Sequence, residues 1–109
     1  MQATRGQQKL AYIWFCAGEQ FFTAAKLLST PALENAPIKL PRLHTLCHGM
    51  EITMKAALLM EGISEKKLRH EYGHDLKKLW EDPCNANFRA VVDRLSPIVW
   101  EGAKSNQQW

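Results

Sequence analysis

The spacing of apolar residues over 7–29 constrains this chain more than any other feature. Leu10, Ile13, Trp14, Ala17, Phe21, Ala24, Ala25 and Leu28 recur at three- and four-residue intervals, the period that lines up one face of an α-helix. Tyr12, Phe15 and Phe22 add a second apolar strip to the same segment, which fits either additional core or contact with another subunit. A second run, Leu43, Leu46, Cys47, Met50, Met54, Ala57 and Leu58, keeps the helical period. Pro41 suits its first turn and Gly62 its carboxy-terminal stop, while Pro31 and Pro37 break the chain between the two helices. No stretch alternates every second residue and no internal repeat is present. The spacing therefore predicts an all-α fold, an up-and-down helical bundle of four to five helices.

Beyond Gly62 the pattern is shorter and more broken. Residues 63–73 read as a connection with at most one helical turn, capped by Ser64 and ending at Leu68. His74 or Asp75 opens a short helix through Leu76, Leu79 and Trp80, which Asp82 and Pro83 end. Asn85 is placed to cap a further helix carrying Phe88, Val91, Val92 and Leu95. Ser96 and Pro97 either kink that helix or cap another containing Ile98, Val99 and Trp100. One domain over 1–109 is expected, with 1–6 and 104–109 loose.

Composition narrows the class. With 109 residues, 46% hydrophobic and 23% charged, the chain suits one small core, for which a subunit interface is a natural additional source of stability. A homodimer is expected. The amino terminus lacks a basic patch followed by an apolar run, and no stretch is long and apolar enough for a membrane helix. Cys16, Cys47 and Cys84 are an odd number without a CxxC spacing, which fits reduced thiols in a cytoplasm rather than a disulfide framework. The formal charge of +3 is unevenly placed, because Lys66, Lys67, Arg69, Lys77 and Lys78 face only Glu71 and Asp75 within one window. Lys66, Lys67, Lys77 and Lys78 thus form a candidate nucleic-acid contact, the alternative being an ordinary solvated surface.

Three constellations can carry chemistry. In the first, Arg69 and His74 would lie about 140° apart on a continuous helix, but a break at Gly73 lets both address one phosphodiester. His74 would move a proton and Arg69 would stabilise charge on the phosphoryl oxygens, chemistry that needs neither metal nor cofactor. In the second, His70-Glu71-Tyr72-Gly73-His74 spells HExxH, a zinc-hydrolase signature that works only if both histidines share a helical face. Gly73 sits inside that would-be helix, and no histidine follows His74 to act as a third ligand. In the third, His44, His48 and Glu51 share one face of the second helix, either as a metal-binding face or as a polar stripe in which Glu51 pairs with Lys55. Cys47, between Leu46 and His48, reads as core thiol, and Trp14, Trp80, Trp100 and Trp109 read mainly as packing, with base stacking as the alternative.

Residues 43–80, with Gly49-Met50-Glu51-Ile52-Thr53-Met54-Lys55-Ala56, then Leu68-Arg69, then Gly73-His74-Asp75-Leu76-Lys77-Lys78-Leu79, resemble a HEPN domain. The rest of the chain resembles it through helix order alone. The resemblance implies a dimeric helical bundle that binds RNA or nucleotides, in many members a metal-independent endoribonuclease of toxin-antitoxin or defence systems with a cognate protein partner. It implies Arg69, His70 and His74 as the catalytic motif and Glu51 as a residue that orients Arg69. A tyrosine commonly follows the histidine by two positions in nuclease members, where this chain has Leu76. The family also includes members that only bind partners, so a noncatalytic interaction domain stands as the alternative, and a zinc hydrolase as the third reading.

Overall fold

Two long helices, α1 (Arg5–Leu28) and α2 (Lys39–Met60), form the body of the molecule in a computed structural model that describes residues 2–33 and 35–95. After them come α3 (Glu65–Lys67), which runs directly into a π-helical turn at Leu68–Tyr72, then α4 (Leu76–Glu81), a 3-10 turn at Pro83–Asn85, and α5 (Ala86–Leu95). The described residues are all-helical, without a strand. None of their helices is long and apolar enough to cross a membrane. The expectations for Ser96, Pro97, Trp100 and 104–109 lie outside the described residues.

The amino terminus departs from expectation, since α1 already begins within the stretch 1–6 that was expected to be loose. Thr4 Oγ1 accepts from the Gln7 amide at 3.0 Å, and the Gln7 side chain accepts from the Thr4 amide at 2.9 Å. This reciprocal box satisfies two backbone donors that a helix start otherwise leaves open. Gln7 Nε2 also donates to the Ile63 carbonyl at 3.1 Å, tying the start of α1 to the chain just past α2. Further along, a Cβ on Gly18 would overlap Thr53 Oγ1, and the Phe21 ring meets His48 edge-on at 4.6 Å. Numbers rising along α1 meet numbers falling along α2, so the two helices are antiparallel.

Small residues set the seam between them. Ala11, Gly18 and Ala25 are buried at seven-residue intervals on α1, a spacing that keeps one narrow line against a neighbouring helix. The wider face read from the sequence is corrected here: Ile13 is 59% exposed, and Tyr12 and Phe15 also face solvent at 69% and 39%. Ile13 lies two residues from Ala11, about 160° around the helix from that seam, and so points away from α2. From α2 the core receives Cys47, Met50, Met54, Leu58 and Leu59, and from the later elements Leu68, Leu76, Leu79 and Trp80. Fully burying a leucine such as Leu58 or Leu59 stabilises the fold by about 1.5–3 kcal/mol.

Residues 63–73 are more helical than their sequence suggests. Ser64 caps as expected, its Oγ accepting from the Lys67 amide at 3.1 Å, but the helix continues past Leu68 to Tyr72. Leu68 is buried and Tyr72, four residues on, packs against the same core, so tertiary contact holds a second turn that local pattern does not announce. The Gly73 amide reaches back five residues to the Leu68 carbonyl at 3.0 Å. Gly73 then takes φ 51° and ψ −124°, and the Asp75 amide donates to the Tyr72 carbonyl at 2.9 Å. This is the geometry of a type II′ turn with glycine at its first central position.

Asp75 caps α4 through the Lys78 amide at 3.0 Å, and α4 ends before Asp82 and Pro83 as expected. Asn85 does precede α5, but its buried amide reaches back to donate to the Leu79 carbonyl at 2.9 Å rather than forward into α5. Arg89 adds hydrogen bonds to the carbonyls of Trp80 and Asp82.

Candidate functional site

Glu51 lies on α2 at a position 8% exposed, where a carboxylate is costly unless charged or polar donors meet it. It has two. Lys55, one turn along the same helix, donates at 3.0 Å, and the His74 Nδ1 lies 3.0 Å from Oε2 and 3.2 Å from Oε1. A carboxylate only accepts, so Nδ1 carries the proton toward Glu51 and Nε2 is the ring nitrogen turned away from it. The His74 side chain is itself 87% exposed while that of Glu51 is 11% exposed. The imidazole is therefore fixed at one nitrogen and open at the other.

Beside it is a cleft of about 370 Å³ lined by Trp14, Lys55, Glu65, Leu68, Arg69, Gly73 and His74. Arg69 and His74 share this cleft because the π-helical turn and the glycine turn replace the regular helix that would separate them by about 140°. Glu51 hydrogen-bonds with Lys55 and His74. Among the expected catalytic residues, Glu51, Arg69 and His74 come together. His70 does not, being exposed on the π-helical turn and absent from the cleft wall.

The four candidate lysines divide. All four are exposed, but Lys67 also lies 3.8 Å from the Glu71 carboxylate. Lys78 donates to the Glu71 carbonyl at 2.6 Å and sits 5.2 Å from the centre of the Tyr72 ring. The HExxH string has no continuous helix beneath it, because Gly73 turns the chain between His70 and His74. His44 and His48 stack at 6.1 Å and His48 abuts Phe21, while Glu51 is directed to His74 and Lys55. Among the described residues no group of three or more His, Cys, Asp or Glu is placed to hold a metal ion.

Two features escaped the sequence reading. Trp14 is half-buried and lines the cleft as well as packing on the core. The Tyr72 hydroxyl donates to Asp82 at 2.7 Å, bracing the turn against the junction of α4 and α5. That hydrogen bond, with burial and the Asp82 charge adding to it, pushes the Tyr72 phenol from 10.0 up to about 12. Burial alone would raise the Asp82 carboxyl, but hydrogen bonds from Tyr72 and Cys84 and the Arg89 charge outweigh it and hold it below the usual carboxylate value. No protein-family model, curated protein or solved structure matches this chain.

Proposed function

We propose that the chain is a HEPN-like, up-and-down helical module that binds RNA at this cleft and cleaves it without a metal ion. The observation that carries the reading is the contact between buried Glu51 and His74 Nδ1, which presents Nε2 beside Arg69. In the step this serves, the 2′-hydroxyl oxygen bonds to the adjacent phosphorus as the bond from phosphorus to the 5′-oxygen breaks. His74 either takes the proton from the 2′-hydroxyl or returns one to the departing 5′-oxygen, with water exchanging the other. Arg69 stabilises the charge that grows on the phosphoryl oxygens. Lys66 and Lys77 supply exposed positive charge for neighbouring phosphates. A toxin-antitoxin or defence setting, with a cognate protein partner, belongs to the same reading.

Cleavage of a single-stranded RNA in the presence of a chelator is the test. The expected products carry 2′,3′-cyclic phosphates, and His74→Ala lowers the rate by about a hundredfold or more. Lys77→Ala instead weakens binding and reduces its salt slope by about 1. Full activity in His74→Ala, or 3′-hydroxyl products, overturns the assignment. The exposed Tyr12 and Phe15, three residues apart on one side of α1, favour a second reading, a noncatalytic domain that docks another subunit, by homodimerisation in the first instance. Silence in the cleavage assay together with a dimer in light scattering sustains that reading instead.

A further inference from the structure

We infer that the cleft accepts one unpaired nucleotide, its base stacked on Trp14 and its phosphodiester at Arg69 and His74, an inference that rests on the RNA reading above. Among the described residues that line the cleft, Trp14 is the one Phe, Tyr or Trp side chain. Because it also packs against the core, its indole is held in place before any ligand arrives, so little side-chain freedom is lost on stacking. The volume of about 370 Å³ lies near the lower end of the roughly 300–1,000 Å³ typical of small-molecule sites, room for a nucleotide rather than a duplex.

The charges agree with a single phosphate. Lys55 is committed to Glu51 and its side chain is 14% exposed, so among the described residues on the wall Arg69 is the more accessible lysine or arginine. Glu65 lies on the same wall, and its carboxylate disfavours a second phosphate there. A base resting on Trp14 while its own phosphodiester reaches Arg69 in so small a cleft has left any helical stack, which is how sequence-exposed RNA is generally gripped. Trp14 is thus a binding residue that selects unpaired RNA, and His74 remains the catalytic one.

The test uses the full chain with three probes: a short unstructured oligoribonucleotide, the same strand annealed to its complement, and inorganic phosphate. The wild-type protein and Trp14→Phe are expected to bind the single strand well and the duplex poorly. Trp14→Leu, which keeps apolar bulk but removes the ring, is expected to lose about 5- to 100-fold in affinity for the single strand. Its affinity for inorganic phosphate is expected to stay unchanged, and the loss to fall on KM more than on kcat. Circular dichroism checks that the variant keeps its helices, and the comparison of single strand with duplex on the wild-type protein needs no variant at all. Equal binding of single strand and duplex, or a folded Trp14→Leu that binds like wild type, overturns the inference while leaving His74-dependent cleavage standing. Absence of both RNA binding and cleavage in the wild-type protein overturns the two together.

Discussion

In the α1–α2 hairpin, Ala11, Gly18 and Ala25 bring two long helices close enough that a Cβ on Gly18 would overlap Thr53. In residues 63–95, by contrast, the elements are short and are joined by side-chain hydrogen bonds: Ser64 and Asp75 as caps, Tyr72 on Asp82, Asn85 on Leu79, Arg89 on Trp80 and Asp82. The first region is specified by shape and the second by directional bonds. The candidate site draws on both, with Glu51 from the rigid hairpin and Arg69 and His74 from the irregular segment. A buried carboxylate is thereby placed to about the accuracy of a helix, while Arg69 and His74 sit on a turn.

Glycines in the two regions offer the sharpest way to break this contrast. Gly18→Val forces α1 away from Thr53 and is expected to destabilise the fold by about 3 kcal/mol, read as a lower midpoint in chemical denaturation. Because Gly18 is not among the residues lining the cleft, the turnover per bound molecule in the fraction that remains folded should stay close to that of the wild type. A Cβ at Gly73 would meet the Arg69 carbonyl oxygen at an unstrained 3.8 Å, but φ is positive, so Gly73→Ala is expected to cost about 2 kcal/mol in backbone strain. Here the rate per folded molecule should fall as well, since relief of that strain moves His74 away from Glu51. If both variants lose only stability, the turn does not position the histidine.

The smallest effect concerns the brace on the turn. Tyr72→Phe removes a hydrogen bond to a charged acceptor and is expected to cost about 1.5 kcal/mol near neutral pH. The raised phenol contributes stability that is complete below 10.0 and is lost as pH rises from there through about 12. The lowered Asp82 carboxyl contributes stability present above the ordinary carboxylate pKa and lost as pH falls through its depressed value. The stability difference between wild type and Tyr72→Phe should therefore narrow at both extremes, in thermal melts across pH. A difference independent of pH would mean that the phenol does not couple to Asp82.

The long helices were legible because apolar period and proline punctuation agree, and the buried Cys47, Met50, Met54 and Leu58 follow from that period alone. Ile13 was misplaced because an apolar period does not say which of two adjacent stripes is the seam, whereas the seven-residue recurrence of Ala11, Gly18 and Ala25 does. The Thr4-x-x-Gln7 box was present in the sequence and would have fixed the start of α1. The turn of helix beyond Leu68 had no local signal: two core contacts, Leu68 and Tyr72, hold it from outside. In the site, Gly73 announced the break that lets Arg69 and His74 share a cleft. The pairing of Glu51 with His74 and the position of Trp14 on the cleft wall depend on how α1, α2 and the turn are docked, which spacing within any one of them does not encode.

The contact between Glu51 and His74 also joins the proposed reactivity to the order of assembly. Contacts within the hairpin span a single reversal of the chain, so α1 and α2 can pair before 63–81 dock. At that stage Glu51 and Lys55 are in place but the imidazole is not held. Local opening of 63–81 would return the molecule to the same condition while most of its helicity persists. Such a species would be spectroscopically native and chemically silent, so that hydrogen exchange at the amides of 68–79, rather than global unfolding, would track the population able to react.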